Sequence, residues 1–275
     1  MRATLAGWSS NQVLLAILAA ESCSQALQAT LAARSRGCKD QAMSSVPKTS
    51  SPSTTLVRVW DFPTRAFHWA LAASVLGSVV SAKLGGNAMI WHFRFGYAVL
   101  ALLLFRVLWG LVGGRWSRFA SFIYSPATLL RYVRGRPAPG EHLDVGHSPL
   151  ASLSVFALLL ALLVQLSTGL VADDEIANLG PLNRFVESEI GLQATSFHKQ
   201  YGQWLVIGLA GLHVAAVLFY LVVRKNNLIG PMVTGDKRLP ASTPASADTA
   251  RSRGLALLLA ACSVGVAVWV ANLGF

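Results

Sequence analysis

Charge is scarce in this 275-residue chain: Asp, Glu, Lys and Arg together make up 13% of it, against 53% hydrophobic residues, and the mean hydropathy is +0.51. Soluble domains carry about 25% charged residues, so a water-soluble enzyme or nucleic-acid-binding fold is excluded and a bilayer is the natural solvent. A formal net charge of +11 would suggest a nucleic-acid partner on a soluble domain. Here the cations sit between apolar stretches and not within them, so no nucleic acid is expected. Cysteine is also sparse. Cys23 and Cys38 lie in the N-terminal tail and Cys262 in the last apolar stretch, which leaves no disulfide framework and no zinc ligand set. No Cys-x-x-Cys-His occurs, so any haem is held without a covalent link.

What the chain has in abundance is long apolar runs. Four span about Ala66 to Leu84, Trp91 to Gly113, Pro149 to Ala172 and Tyr201 to Val223, and a fifth runs from about Gly254 to Leu273. Each is near the roughly 20 residues that cross a hydrocarbon core. The expected fold is therefore all-α and membrane-integral: a four-helix bundle over residues 56–239, a linker at 240–253, and an appended fifth transmembrane helix at 254–275. Residues 1–55 read as a disordered extension ending in a Ser/Thr/Pro linker, with Met43 as an alternative start. A signal peptide fits less well, because cleavage would leave the basic flank of the first span outside.

The connections differ in charge. Lys48, Arg58 and Arg65 precede the first span, Arg115, Arg118, Arg131, Arg134 and Arg136 follow the second, and Arg224, Lys225, Lys237, Arg238, Arg251 and Arg253 follow the fourth. The loop between the third and fourth spans instead holds Asp173, Asp174, Glu175, Glu187 and Glu189. By the positive-inside rule the N-terminus is cytoplasmic, and five spans put the C-terminus in the periplasm.

Four histidines lie in or beside spans: His68, His92, His198 and His213. An ionisable side chain in a span is costly and marks function, and imidazole is a common axial ligand of haem iron. Depth sorts the four. His68 opens the first span at the inner end and His92 opens the second at the outer end. His198 begins the fourth span outside, and His213 lies 15 residues, or about 22 Å, deeper. His68 then pairs with His213 and His92 with His198, enough for two irons. Fifteen residues at 100° turn the helix by about four turns plus 60°, so both fourth-span histidines fit one broad face. His147, at the inner start of the third span, is the alternative inner residue: it either replaces His68 or meets a haem propionate or quinone. His142 sits in a polar basic loop and is expected to be solvated. Arg94 and Arg106 carry charge into the membrane, and a haem propionate or quinone oxygen would offset that cost, although Arg94 can also snorkel to the headgroups. Gly96, Gly169, Gly202, Gly208 and Gly211 either make room for a macrocycle or let helices approach. The tryptophans at span ends form an aromatic belt.

These residues together resemble the bacterial cytochrome b561 and nickel-hydrogenase b-type cytochrome group. The matching pieces are Val59-Trp60-Asp61 with Arg65 and His68-Trp69, His92 with Gly96-Tyr97, and Arg106-Val107-Leu108-Trp109-Gly110. They continue with Gly146-His147-Ser148-Pro149-Leu150, Thr168-Gly169-Leu170, Asp173-Asp174-Glu175-Ile176-Ala177 and Gly180-Pro181-Leu182. The last are His198, Leu212-His213, and Asn227-Leu228-Ile229 through Met232-Val233-Thr234-Gly235 to Lys237-Arg238. The likeness covers about Val57 to Leu239. It implies a dihaem or monohaem b-type cytochrome whose ligand positions are again His68, His92, His198 and His213. It also implies a bacterial inner-membrane location among lipid, with electrons exchanged between quinone and a redox partner such as a soluble cytochrome, a hydrogenase or another dehydrogenase. An electron-transfer subunit is the leading expectation. A small oxidoreductase acting directly on quinone and an oxygen species such as superoxide is the alternative, and a haem-free anchor or transporter subunit is the third class.

Overall fold

A computed structural model of the chain describes residues 54–136, 138, 141 and 143–274. The expectations placed on residues 1–53, including Cys23, Cys38 and Met43, and on His142 lie outside the described residues. The elements run β1 (Thr54–Arg58), α1 (Phe62–Leu84), α2 (Met89–Val112), a short α3 (Pro126–Val133), α4 (Pro149–Leu170), α5 (Ser188–Phe197), a π-helical turn (His198–Gly202), α6 (Gln203–Val222), α7 (Ile229–Thr234), β2 (Asp236–Pro240) and α8 (Ala250–Asn272). Five helical segments are long and apolar enough to cross a membrane. This is the multi-pass bundle of four helices plus one that the hydropathy predicts. Large apolar side chains such as Leu76, Leu160, Leu212, Phe219 and Trp269 stand exposed on the outer faces of these helices. In water such a surface would aggregate, and in a bilayer it is the solvated one.

The sequence sets where helices start on one side. Asp61, Ser148 and Thr249 each accept a backbone N–H from the first turn of α1, α4 and α8, and a proline with fixed φ and no N–H stands in the first turns of α1 and α4. α2 and α5 start at the other end without a side-chain cap. The fourth spanning segment is longer than its apolar core: α5, the π turn and α6 form one run, Ser188–Val222, of 35 residues. His198 thus sits ten residues inside a helix and does not begin it. Ser188, Glu189, Gln193 and Thr195 hide this extension from a hydropathy reading.

The main core lies midway along the bundle, where Val99 and Leu103 of α2, Ala161 and Leu162 of α4 and Val206 of α6 interdigitate, with Leu71 and Val75 of α1 against them. The capped end is closed by a small sheet, an addition to the all-helical expectation. β1 pairs antiparallel with β2 from Thr54 opposite Pro240 to Arg58 opposite Asp236, so strand begins where the N-terminal linker was expected to end. Val59, Trp60, Trp116 and Val145 pack beneath this sheet end. Arg58 joins Asp236 at 2.7 Å and Asp248 at 2.8 Å, and Arg253 also binds Asp248. The segment expected as a free linker before the fifth helix is thereby docked: Ser246 N donates to Arg58 O, and Trp116 Nε1 to Pro244 O. α8 packs chiefly along α2, and its Ala256 joins Phe67, Phe105 and Trp109 in one buried cluster.

Candidate functional site

Two histidine pairs form inside the bundle, at its two ends. At the end away from the sheet, the His92 ring of α2 and the His198 ring of the π turn lie 6.0 Å apart between centroids, at 88°. Toward the sheet end, His68 of α1 and His213 of α6 lie 6.4 Å apart at 53°. A metal–imidazole bond is about 2.0 Å. With about 1.1 Å more from nitrogen to ring centre on each side, two imidazoles on opposite faces of one iron have centres roughly 6 Å apart. Both pairs fit that separation.

The pair away from the sheet, His92 and His198, is oriented by the backbone. His92 Nδ1 lies 2.9 Å from Ser78 O, and His198 Nδ1 lies 2.9 Å from Gln165 O. A carbonyl only accepts, so each Nδ1 carries the hydrogen and each Nε2 keeps its lone pair, the second-shell arrangement of metal-binding histidines. Gln165 Nε2 also donates to His198 O, and Thr168 Oγ1 lies 3.3 Å from His198 Nδ1. A Cβ on Gly169 would stand 2.9 Å from His198 Cε1, so this glycine makes room for the His198 ring. Gly96 would meet nothing within 4 Å and lines a cavity of about 560 Å³ that both histidines face, a volume typical of cofactor pockets. Lys83, Lys199, Asp174 and Asn178 stand at its polar rim. Gly202 clears the Gln165 side chain, while Gly208 and Gly211 would meet nothing within 4 Å.

The pair toward the sheet has a different surround. Among the described residues, neither the buried His68 Nδ1 nor the buried His147 Nδ1 has a hydrogen-bond partner. His147 stacks against Trp60 at 4.7 Å and Phe122 at 4.5 Å and does not enter either facing pair. Burial, with the Arg106 cation nearby, pushes its imidazole down to about 3, so it is neutral. Arg106 is 3% exposed. It donates from Nη1 to Ser117 O at 3.0 Å and lies over the rings of Phe119, Phe122 and Phe67. Ser117 Oγ in turn donates to Asp61, so a carboxylate lies one residue beyond the guanidinium. Arg94 is exposed and stacks on Trp91 at 4.8 Å, as snorkelling requires.

The four histidines selected by depth are thus brought together two by two. The residues that sequence reasoning missed are those that orient them: Ser78, Gln165 and Thr168, with Lys83 and Lys199 at the cavity rim. Gln165 carried a usable signal, being a lone amide in an apolar run. Ser78 meets His92 Nδ1 with its carbonyl at 2.9 Å and its hydroxyl at 3.1 Å, and the carbonyl is a contact that no residue type announces.

The same stretch of chain is found in known proteins. The family model for prokaryotic cytochrome b561 matches residues 59–235. Among curated proteins, the chain is 23% identical over 213 residues to a "Probable Ni/Fe-hydrogenase 1 B-type cytochrome subunit" of Escherichia coli (strain K12), covering 64% of this chain and 88% of that protein. It is 23% identical over 219 residues to a "Probable Ni/Fe-hydrogenase B-type cytochrome subunit" of Rhodobacter capsulatus, covering 66% and 82%. A protein of that same description from Azotobacter vinelandii is 25% identical over 213 residues, covering 66% and 88%. No solved structure matches the chain. The matched residues contain four of the five spans and every histidine of the two facing pairs, and this chain belongs to the prokaryotic cytochrome b561 family.

Proposed function

We propose that the protein carries electrons across a bacterial plasma membrane through two non-covalent b haems. His68 and His213 would ligate the inner one, and His92 and His198 the outer one. The observation that carries this reading is the two histidine pairs at 6.0 and 6.4 Å, at two levels of one bundle. The fifteen residues between His198 and His213 correspond to about 22 Å of helix, so two cofactors stacked there would bridge most of the hydrocarbon thickness. When bound, haem supplies the one-electron chemistry, and the chain supplies axial nitrogens, a fixed ring orientation and a low-dielectric surround that tunes potential.

The basic sheet end is assigned to the cytoplasm and the acidic 173–189 loop to the periplasm. The relatives' printed descriptions point to a hydrogenase as redox partner, with quinone in the surrounding lipid as the other partner. Arg106 is placed at the level of the inner haem as a cation near its propionates, and Arg94 near the outer headgroups. Haem extraction from purified protein tests the reading. All haem should pass into acidified organic solvent at two per chain. A stoichiometry near one would overturn the dihaem assignment, and haem left on the polypeptide would overturn non-covalent binding.

A further inference from the structure

Among the described residues, His147 is the one histidine outside the two facing pairs, and its Nδ1 is enclosed. It ends the loop before α4, held from four directions. Trp60 and Phe122 clamp its ring, Tyr124 Oη donates to its carbonyl at 2.8 Å, and the following residue, Ser148, caps α4. The Nδ1 of this ring is buried, yet among the described residues it has no partner. A buried polar atom without a hydrogen bond needs an explanation, and an absent ligand is one. Its neighbours indicate which ligand. Phe122 packs on its ring, and the Arg106 guanidinium lies 5.9 Å from that same Phe122 ring and 5.9 Å from the ring of Phe67, the chain neighbour of His68. Among the described residues, no carboxylate lies within 4.0 Å of Arg106. A buried imidazole nitrogen able to carry a hydrogen, with a buried cation close by, makes a site for an anionic oxygen acceptor. A b haem brings two carboxylates of its own, and these must leave the apolar middle of the bundle for its polar end.

We propose that His147 is a positioning residue that donates from Nδ1–H to a propionate carboxylate of the inner haem, in the field of Arg106. This rests on the assignment of a haem to His68 and His213. The role of His147 is then neither to bind iron nor only to pack: it fixes which way the carboxylate edge points, and it keeps that edge desolvated next to the sheet end.

Resonance Raman spectra of the intact holoprotein test this, because the propionate bending mode responds to hydrogen bonds at the carboxylate. In His147→Phe, which keeps a planar ring for Trp60 and Phe122, that mode should shift for one of the two haems. The inner haem should also pass to apomyoglobin about ten to a hundred times faster, as expected for loss of a charge-assisted hydrogen bond. His147→Gln, which offers an amide N–H, should move both readouts back toward wild type. The outer haem reports folding and should be unchanged in both variants. If His147→Phe leaves the propionate mode and transfer rate unaltered, the proposal is wrong. If it loses the inner haem together with its axial imidazole signature while His68→Ala keeps that haem, His147 is a ligand and the proposal is equally wrong. Should His147→Phe not fold, the glutamine and asparagine variants decide by the same mode. Wild-type protein that contains no inner haem would instead refute the dihaem reading itself, and the extraction measurement registers that separately.

Discussion

At the scale of single residues, the distinctive feature is that the geometry of the facing histidines is set by neighbours with no cofactor chemistry of their own. Ser78 O and Gln165 O fix the tautomers of His92 and His198, and Gly169 leaves space for the second ring. The π turn at His198–Gly202 also changes the angular arithmetic. A π turn accommodates one extra residue, so the 15 positions from His198 to His213 wind like about 14, roughly 40° short of four full turns. Both rings then face the interior more nearly in line than a plain α-helix allows. If each haem has its own pair, His92→Ala and His198→Ala should give the same residual spectrum, that of the inner haem, and His68→Ala and His213→Ala should both leave the outer one. The two residual haems should differ in midpoint potential, because one pair is anchored to carbonyls and the other stands beside Arg106. If His92→Ala and His198→Ala left different haems, the outer pair would fail outright, and apoprotein levels must be followed to exclude unfolding.

At the scale of elements, two acidic residues hold opposite ends of the bundle. Asp61 is fully buried and accepts from Thr64 N, Trp109 Nε1, Gly114 N and Ser117 Oγ, which ties the start of α1 to the end of α2. Asp61→Ala would strand these donors together, and it should cost about 3 kcal/mol or more. Thermal unfolding in detergent should show the loss, with the inner haem released before the outer. An unchanged midpoint would mean that water replaces the carboxylate. At the other end, Asp174 accepts from the Asn178 side chain and from the backbone N–H groups of Ile176, Ala177 and Asn178. Burial pushes its carboxyl upward, but these hydrogen bonds outweigh that and hold it well below the usual carboxylate range. A folded-state pKa below the unfolded one means stability that is present above about pH 4 and lost as pH falls from there through the folded value. Hydrogen-exchange protection factors for residues 176–178 should therefore be constant above about pH 4 and drop below it. In Asp174→Ala they should be low already at neutral pH, and protection that ignores pH in wild type would rule out the carboxylate as the clamp.

At the scale of the whole molecule, the bundle has a closed end and an open one. The closed end combines the two-stranded sheet, the Arg58–Asp236–Asp248 cluster and the docked segment before α8, and it carries most of the basic residues. The open end carries the 560 Å³ cavity and the acidic loop. A reporter active only outside the cytoplasm should work when fused within 173–189 and fail when fused within 115–136. The reverse would invert the assignment of sides while leaving the pairing by depth untouched.

The sequence by itself determined the solvent, the number of spans and which histidines face each other, because hydropathy and a rise of 1.5 Å per residue are one-dimensional quantities. The length of the fourth helix escaped that reading, since Ser188 to Phe197 are helical without being apolar. The sheet, the docking of the segment before α8, and the place of Ala256 in the core also escaped it, because each depends on contacts between residues far apart in the chain. The same holds at the site. Four imidazoles at matching depths were legible in the chain, whereas the carbonyls that set their tautomers, the ring space beside Gly169 and the enclosure of His147 by Trp60 and Phe122 exist only once the helices have packed.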